Sequence, residues 1–501
     1  MSIESPPRAT ARTWCGLLVL LLPALLVSMD ISVLFVAAPA ITEALQPTST
    51  QWLWAMDIYG FVMAALLITM GALGDRIGRR RLLLIGSVLF GAASAALAFA
   101  SGPEQLIIAR AVLGIGAATL APSTLSLVRE MFADEDQRRT AVGAWTIAFS
   151  GGSVVGPIIG GVLLEYFWWG SVFLINIPVM LILLVAVPFL IPESRRPERS
   201  SFDIPGAALS LAAVLGVIYA MKHAAEHGIG TVAVGVLLLG LAAAVAFAVR
   251  QQRAPHPLID IGLFRVPAFS ASIGAQVVVM MALSGLGVLA FTFMQTVHGL
   301  SPLESALWAL PTFAGTILGA TTASLLAPRL PGIPLLAAGL LVAAAGFALV
   351  ASVGPGTELW MFIAGYVVLT FGAGISATMA GSLVLTAAPP ERAGTVAGTS
   401  EAGMELGGSL GIAIFGTVTS AAYQSGIAAT APPGTEPGAL ETVAGAVAAA
   451  RRAADPAALL DAAFGAYTDG VTNAALLGAA LIAAAATAIA VWGRRPARRD
   501  P

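Results

Sequence analysis

The sequence predicts an all-α protein that crosses a lipid bilayer many times. Of its 501 residues, 58% are hydrophobic and only 10% are charged, whereas soluble domains carry about 25% charged residues. The apolar residues are gathered in runs of about 20, the length that an α-helix needs to cross a hydrocarbon core roughly 30 Å thick. Arginine, in addition, is concentrated in every second connection between these runs. Together these observations predict an integral membrane protein that moves a solute.

By the same length criterion the apolar runs number fourteen. The first follows Arg8 and Arg12 and therefore resembles the start of a signal peptide. Because Asp30 lies inside this run and further spans follow it, we predict an uncleaved first helix. The predicted spans are 14–38, 52–73, 81–101, 105–128, 140–164, 169–191, 204–222, 229–249, 268–297, 303–327, 332–353, 358–385, 395–423 and 468–492.

The basic residues of the connections predict the orientation. One set of alternate connections holds nearly all of them, and the other set holds only Lys222, Arg451 and Arg452. Because cytoplasmic loops carry the excess of basic residues, both termini, 1–13 and 493–501, are predicted to lie in the cytoplasm, with the protein in a bacterial cytoplasmic membrane. The basic set is Arg76, Arg79, Arg80, Arg81, Arg129, Arg138, Arg139, Arg195, Arg196, Arg199, Arg250, Arg253, Arg265, Arg329, Arg392, Arg494, Arg495, Arg498 and Arg499.

An internal repeat predicts two related halves. The string QRRTAVGAWTIAFSGGS at 137–153 resembles ERAGTVAGTSEAGMELGGS at 391–409, which relates the fifth span to the thirteenth. Transporters are often built from such repeats, with the substrate site at the midplane between them. We therefore predict a six-helix bundle at 14–191, two inserted spans at 204–249 and a second six-helix bundle at 268–492. The outer loop at 424–467 is predicted to be a passive connection; the alternative is that its stretch 438–465 forms amphipathic helices or a hairpin on the outer face.

The loop between spans 2 and 3 reads GALGDRIGRRR, residues 71–81. Its glycines permit close helix contact and a tight turn, and its aspartate can pair with arginine at a helix end. A basic loop that only fixes orientation is the simpler interpretation, but the spacing favours a gate. The residues predicted to act in gating here are Gly71, Gly74, Asp75, Arg76, Gly78 and Arg79.

Spans 4 and 5 each carry a further motif. Span 4 has RAVLGIGAA, in which Arg110 is a charge at membrane depth and is therefore a functional candidate, although an arginine that reaches to the interface from a helix end is the alternative. Span 5 has GGSVVGPIIGG, whose proline removes a backbone donor and whose glycines permit close packing. The span 5 residues predicted to act in gating are Gly156, Pro157, Gly160 and Gly161.

These motifs resemble those of the major facilitator superfamily. The loop at 71–81 is similar to that family's signature gating loop, and the span 5 string is similar to the antiporter motif of drug:proton exporters. With fourteen spans, the chain resembles the fourteen-helix drug:proton antiporter branch over nearly its whole length. The first two spans, LVSMDISVLFVAAPA and QWLWAMDIYGFVMA, look most like the QacA, SmvA and LfrA group of multidrug exporters. The second half departs from the gating motif, because its loop SLLAPRLPG at 324–332 lacks the aspartate.

The resemblance implies a major facilitator fold that exports organic cations such as quaternary ammonium compounds and dyes, with fluoroquinolones as further candidates. The proton gradient is the expected energy source, and we expect no cofactor, no nucleic-acid partner and a monomer surrounded by membrane lipid. A dedicated exporter of one antibiotic shares every motif and stays an alternative. A proton-coupled nutrient importer is disfavoured by the span 5 motif.

Four carboxylates lie within predicted spans. Burial and a neighbouring carboxylate both favour the protonated form of such a group, so it can take up a proton on one side and release it on the other. Loss of the negative charge also releases a bound cation, which couples the two fluxes. The residues predicted to couple protons are Asp30, Arg110, Glu401 and Glu405, where Glu401 and Glu405 share one helix face. Capping, interfacial and solvated roles are the alternatives for these groups.

Aromatic side chains attract organic cations through their faces. We therefore expect some of those in spans 1, 2, 5 and 9 to line the binding cavity, although most membrane aromatics contact lipid or pack. The residues predicted to bind substrate are Asp30, Asp57, Glu405, Trp54, Tyr59, Trp145 and Phe149; Phe291 and Phe293 are further aromatic candidates.

Several classes of function are excluded by missing residues. Hydrolysis of ATP needs a phosphate-binding loop with its lysine, and the only lysine, Lys222, stands in YAMKHAAE. The single cysteine, Cys15, excludes an internal disulfide. His223 and His227 share a helix face but have no cysteine partner, and we predict no metal site. No hydrolase motif is present, and we predict that the protein is not an enzyme.

Overall fold

The computed structural model describes residues 8–193, 203–228, 230–253, 261–354, 356–386, 393–453 and 455–492. Of the arginines used for the orientation, those at 195, 196, 199, 392, 494, 495, 498 and 499 lie outside the described residues. A 3-10 turn at Ile261–Arg265 and a π-helical turn at Phe293–Val297 accompany the α-helices. The helices are α1 Ala11–Leu45, α2 Ser49–Ile77, α3 Arg79–Ala98, α4 Pro103–Met131, α5 Glu135–Tyr166, α6 Ser171–Leu174, α7 Asn176–Leu190, α8 Ile204–His227, α9 Thr231–Arg253, α10 Pro267–Thr292, α11 Pro302–Leu326, α12 Gly332–Val350, α13 Leu359–Thr386, α14 Ala393–Thr430, α15 Pro437–Glu441, α16 Val443–Ala450 and α17 Pro456–Trp492.

The predicted all-helical membrane architecture is confirmed. Among the described residues, 12 elements are long and apolar enough to cross a membrane, and α2 makes a thirteenth when its two arms, which meet at a bend of 50°, count as one span. The remaining predicted span, 204–222, overlaps α8, whose apolar stretch Ala208–Ala220 is shorter. The number of fourteen spans is therefore not reached by this criterion and stays a prediction.

Local chemistry sets several helix boundaries. Thr48 and Gln51 form a capping box that begins α2, and Ser301 and Glu304 form another that begins α11; in each, side chains satisfy backbone N–H groups that the first turn leaves without helical partners. Gly78, with a φ of 109°, separates α2 from α3. A positive φ costs glycine little and other residues more, so the glycine of the 71–81 loop is required by the turn.

The two strings that resemble each other occupy equivalent places. α5 lies against α1, and α14 lies against α10. A Cβ added to Gly152 would stand 2.3 Å from the carbonyl oxygen of Leu25, and one added to Gly407 would stand 2.4 Å from that of Val277. In each half, therefore, the glycines of the repeated string let one helix approach the backbone of the other.

The inserted helices α8 and α9 pack against each other, and α8 packs against α2. Phe61 of α2 contacts Ile218 of α8 in a small apolar cluster that also includes Trp54. The outward side chains of α9 are large and apolar, with Leu238 and Leu239 both exposed. This exposure matches a helix whose outer face contacts lipid.

The contacts between the two halves include one end of the bundle. We call the end that carries Asp75, Arg79 and Arg129 the arginine-rich end and the opposite end the arginine-poor end. At the arginine-poor end, a Cβ added to Gly161 would stand 2.8 Å from Cα of Leu303 in the second half. The halves are therefore closely packed at the arginine-poor end.

The connection between the last two spans is shorter than the predicted loop 424–467. α14 continues to Thr430 and α17 begins at Pro456, so both helices extend beyond the predicted ends of their spans. α15 and α16 lie between them, which agrees with the helical alternative for this segment. Arg451, at the end of α16, forms an ion pair of 2.8 Å with Glu43 at the end of α1, and this contact ties the segment to the first half.

Candidate functional site

A cavity of about 290 Å³ lies between the two halves. Its wall is formed by α1, α2, α4 and α5 from the first half and by α10, α11, α13 and α14 from the second. Most of the wall is apolar, and two of the described lining residues, Arg110 and Glu405, are charged. A second cavity of about 80 Å³ lies nearer the arginine-poor end, and Met56 and Ile412 line both cavities. The central cavity is close to the lower end of ordinary ligand pockets, roughly 300–1,000 Å³.

A buried ion pair joins α1 to α4 beside this cavity. Nη1 of Arg110 donates to Oδ2 of Asp30 at 2.7 Å, and the two side chains are only 2% and 1% exposed. The guanidinium also donates from Nε to the carbonyl oxygen of Ala55 at 3.1 Å and from Nη2 to that of Met56 at 3.4 Å. Loss of either partner would leave a buried charge uncompensated, which is strongly unfavourable.

Arg110, and not Asp30, faces the cavity. Arg110 is a lining residue, whereas Asp30 lies behind it. Cζ of Arg110 stands 4.6 Å from the centroid of the Tyr59 ring, a cation–π contact. Tyr59 also lines the cavity, and its hydroxyl donates to the carbonyl oxygen of Val27 at 3.5 Å. Asp30 was predicted both to couple protons and to bind substrate. Its side chain does not line the cavity, so it is not placed to contact the cargo directly.

The acidic wall of the cavity comes from α14. Glu405 lines it, together with Met404 and Gly408. Glu401 lies one turn nearer the arginine-rich end, outside the lining, and interacts electrostatically with Arg129 of α4. Of the two carboxylates predicted on this helix face, therefore, Glu405 lines the cavity and Glu401 does not.

Comparison with known proteins identifies the family. A sequence profile of the Major Facilitator Superfamily matches residues 20–412. The chain is also 40% identical to the multidrug efflux pump LfrA of Mycolicibacterium smegmatis, over 98% of this chain and 99% of that protein.

The chain belongs to the Major Facilitator Superfamily. This major facilitator protein is 36% identical to the methyl viologen resistance protein SmvA of Salmonella typhimurium, over 83% of this chain and 84% of that protein. It is 33% identical to the tetracenomycin C resistance and export protein of Streptomyces glaucescens, over 81% of this chain and 76% of that protein. The resemblance predicted from the motifs is confirmed, and the chain is a transport protein rather than an enzyme.

The fold is shared with solved transporters of low sequence identity. A bacterial homologue of the human lysosomal transporter Spinster, crystallised in an inward-facing and unoccupied conformation, matches this major facilitator protein with a TM-score of 0.66 at 20% identity. The match covers 97% of this chain and 98% of that chain. At this identity the likeness shows the fold alone.

The gating loop of this major facilitator protein forms a charged cluster at the arginine-rich end. Arg79 pairs with Asp75 and lies 3.9 Å from Oε1 of Glu130 at the end of α4. Glu193, which follows α7, accepts from the backbone N–H of Arg80 at 3.1 Å. The carboxylates of Glu130 and Glu193 were not predicted from the sequence, because nothing in their local strings marks them as partners of residues 71–81.

The other residues of this loop differ in their surroundings. Arg76 is exposed, whereas Gly74 is buried beside Leu82. Gly71 has more space, since an added Cβ would meet only Pro122, at 3.9 Å. Gly78 has the least space, because an added Cβ would stand 2.4 Å from Oε1 of Glu193.

The span 5 motif lies against α1 and reaches the second half. A Cβ added to Gly156 would stand 2.2 Å from Oγ of Ser32, and one added to Gly160 would stand 2.4 Å from Cγ2 of Val33. Pro157 lines the central cavity. The motif thus combines a backbone contact within the first half, one wall of the cavity and, through Gly161, a contact between the halves.

Asp57 and Trp54 are not among the residues that line the cavity, although both were predicted to bind substrate. Asp57 is fully buried. It shares a face of α2 with Trp54 and Phe61, and these two side chains contact α8. Trp54 stands 6.3 Å from the ring of Tyr219. The structure therefore places this face of α2 toward the inserted helices.

Some of the aromatic residues predicted to bind substrate line the cavity, and others do not. Phe149 and Phe291 line the cavity, as Tyr59 does. Trp145 lies behind Phe149, stacked at 5.2 Å, and donates to Oγ1 of Thr124 at 3.1 Å. Phe293 is buried outside the cavity. Three lining aromatics were not predicted, because no motif in the sequence singles them out: Phe35, Phe313 and Tyr366.

Within the described part of the chain, no group of three or more His, Cys, Asp or Glu side chains is placed to hold a metal ion. The ring of His223 stacks on that of Tyr219 at 5.7 Å. The side chain of His227 lies outside what the structure describes.

Proposed function

We propose that this protein is a proton-driven antiporter that exports lipophilic organic cations by alternating access. The observation that carries this proposal is the composition of the central cavity. Aromatic and aliphatic side chains from both halves surround one carboxylate, Glu405, and one arginine, Arg110. Apolar walls accommodate a lipophilic body, and a carboxylate among aromatic faces attracts a positive charge.

Competition at Glu405 supplies one half of the coupling. When ionised, this carboxylate attracts a cationic drug, and when protonated it loses that attraction. Removal of a cation from water into an apolar cavity needs such a partner. Drug and proton therefore exclude each other at the same side chain.

The Asp30–Arg110 pair supplies the second part of the coupling between proton and drug. With Asp30 ionised, the charge of Arg110 is compensated and the cavity tolerates a cation. A proton on Asp30 removes that compensation, and Arg110 then presents an unbalanced positive charge to the cavity. Repulsion between like charges is strong at low effective dielectric constant. Protonation of Asp30 therefore expels the cargo without direct contact between the two.

The direction of transport follows from the predicted orientation. With the arginine-rich end in the cytoplasm of a bacterial inner membrane, both termini are cytoplasmic and the close packing of the halves lies on the outer side. Cargo then enters the cavity from the cytoplasm. The named functions of LfrA as a multidrug efflux pump and of SmvA in methyl viologen resistance support cationic drugs as cargo.

The test is ethidium uptake into everted membrane vesicles whose interior is acidified. Uptake is expected to depend on the acid interior and to collapse when a protonophore is added. Uptake that persists after the proton gradient is abolished would overturn proton coupling. Vesicles that carry Glu405→Gln are the matched control, since this variant keeps the shape of the cavity wall and removes its carboxylate.

A dedicated exporter of one antibiotic is the second candidate. It is favoured by the 33% identity to the tetracenomycin C resistance and export protein. Competition assays with ethidium, methyl viologen and several quaternary ammonium compounds separate the two functions. Competition by chemically unrelated cations supports a multidrug exporter, and failure of all of them supports the dedicated one.

A further inference from the structure

The second oxygen of Asp30 is not held by Arg110. Oδ2 is bound by Arg110, whereas Oδ1 is buried and accepts no hydrogen bond from the described residues within ordinary hydrogen-bond limits. Buried polar atoms in native proteins almost always have a partner. The polar groups near Oδ1 are therefore its potential hydrogen-bond partners.

A polar side chain beside Asp30 that does not line the cavity is Asn176, the first residue of α7. It interacts with the carboxyl group of Asp30 and is itself 1% exposed. Its Nδ2 donates to Oγ of Ser94 on α3 at 3.1 Å, and Ser94 is fully buried. Asp30, Asn176 and Ser94 thus form a row of buried polar groups that crosses three helices of the first half. We call these three residues the polar row.

The break between α6 and α7 places Asn176 at this depth. α6 ends at Leu174 and α7 begins at Asn176. Ser171, at the start of α6, contributes another buried hydroxyl nearer the arginine-poor end. The polar row therefore leads from Asp30 toward that end of α3 and α6, whereas Arg110 and Tyr59 stand on the cavity side of Asp30.

An asparagine amide suits a group that changes its protonation state. Its NH₂ can donate to an ionised carboxylate, and its carbonyl oxygen can accept from a protonated one. The charged and polar groups that face Asp30 are Arg110 from α4 and Asn176 from α7, with Tyr59 from α2 close by. Among these three, Asn176 is the group outside the cavity lining, and its amide can both donate and accept.

We propose that Asn176, supported by Ser94, is a positioning residue for Asp30 and marks the side from which the proton reaches it, separate from the cargo cavity. This inference rests on the proposed proton coupling. It assigns the two fluxes to opposite sides of one carboxyl group: the proton passes on the side of the polar row, and the cargo is sensed on the side of Arg110.

The test compares Asn176→Leu and Ser94→Ala with the wild type and with Ser87→Ala. Ser87 is a matched control, because it is equally buried on α3 but donates within its own helix, to the carbonyl oxygen of Leu83 at 2.8 Å. Purified protein in detergent is mixed with ethidium, and a pH-sensitive dye reports the protons that binding releases at a series of pH values. Asn176→Gln, which keeps the amide, is the conservative variant.

The inference expects Asn176→Leu to reduce ethidium-induced proton release at least tenfold near neutral pH, with ethidium affinity at high pH changed less than about threefold. The midpoint of the pH profile is expected to move by roughly one pH unit. Ser94→Ala should move it in the same direction by less, Asn176→Gln should restore part of the release, and Ser87→Ala should match the wild type.

Three outcomes overturn the inference. If Asn176→Leu releases protons as the wild type does, the polar row has no part in coupling. If Asn176→Leu does not fold, Ser94→Ala decides, and an unchanged profile contradicts the role of the row. If the wild type itself releases no protons on binding ethidium, the proposed function fails together with the inference, whereas release by the wild type with unchanged variants overturns the role of Asn176 alone.

Discussion

Arg110 stands between Asp30 and the central cavity. Its Nη1 holds Oδ2 of Asp30 at 2.7 Å, while the same guanidinium lines the cavity wall. The carboxylate therefore has no place in the cavity wall itself, and it sets whether the charge of Arg110 is compensated. This relationship separates the site of protonation from the site of binding, and it makes each side chain testable by itself.

Replacement of Asp30 by asparagine imitates the protonated carboxyl group permanently. Because the charge of Arg110 then lacks its partner, we expect ethidium affinity to fall at least tenfold and proton-driven uptake to be lost. Titration of ethidium fluorescence and uptake into everted vesicles measure the two effects. Asp57→Asn is the control for loss of a buried carboxylate outside the cavity lining, and an Asp30→Asn variant that binds and pumps like the wild type would contradict the mechanism.

The same substitution should lower stability. Removal of one partner from a buried ion pair costs about 3–5 kcal/mol, so Asp30→Asn should melt at a lower temperature than the wild type. Removal of both charges in Asp30→Asn with Arg110→Gln should recover part of that loss. Thermal unfolding of the purified variants checks this order, and a double variant less stable than both single variants would show that the pair does not act as one unit.

Glu405→Gln should remove the pH dependence of binding on the cavity side. In the wild type, cation affinity is expected to fall as the pH falls, because protonation of the carboxylate removes its charge. The variant should bind at least tenfold more weakly at high pH and should show a flatter profile. Glu401→Gln is the matched control, since Glu401 lies outside the lining and should change affinity less; equal effects of the two variants would place the cation elsewhere.

Gly161→Ala should disturb the closed arginine-poor end. The added Cβ would stand 2.8 Å from Cα of Leu303 in the second half, so the halves must separate to accept it. We expect transport to fall at least tenfold with ethidium affinity largely kept. Gly151→Ala lies in the same motif, but its added Cβ would have no neighbour within 4 Å. Equal transport by the two variants would show that contact at Gly161 does not limit the cycle.

His298, which follows the π-helical turn, predicts a loss of stability in acid. Burial lowers its pKa below the ordinary value of 6.5, and the charge of Glu358 opposes this effect. Because the unfolded chain binds a proton at higher pH than the folded chain does, the stability contributed by neutral His298 is present above pH 6.5 and decreases as the pH falls below it. Thermal unfolding at pH 7.5 and 5.5 should show a smaller acid-induced loss for His298→Gln than for the wild type; an equal loss in both would exclude this group.

The class of fold, the approximate spans, the motif loop and the four carboxylates within spans were all predictable from the sequence. Long apolar runs and glycine-rich motifs are local features, and hydrogen bonding in lipid forces such runs to be helical. The family followed from the same strings. Arg110, Glu405, Tyr59, Phe149 and Pro157 were each singled out in the sequence for a functional role, and all five line the central cavity.

The direction in which each side chain faces depends on helix packing and was not predictable from the sequence. Lipid and protein interior are both apolar, so the pattern of apolar residues along a membrane helix does not distinguish the face toward lipid from the face toward a neighbouring helix. The sequence therefore gave no reason to turn Asp57 and Trp54 toward α8, to bring Glu193 against Gly78, or to place Asn176 beside Asp30. These contacts join residues far apart in the chain, and the packing of the helices determines them.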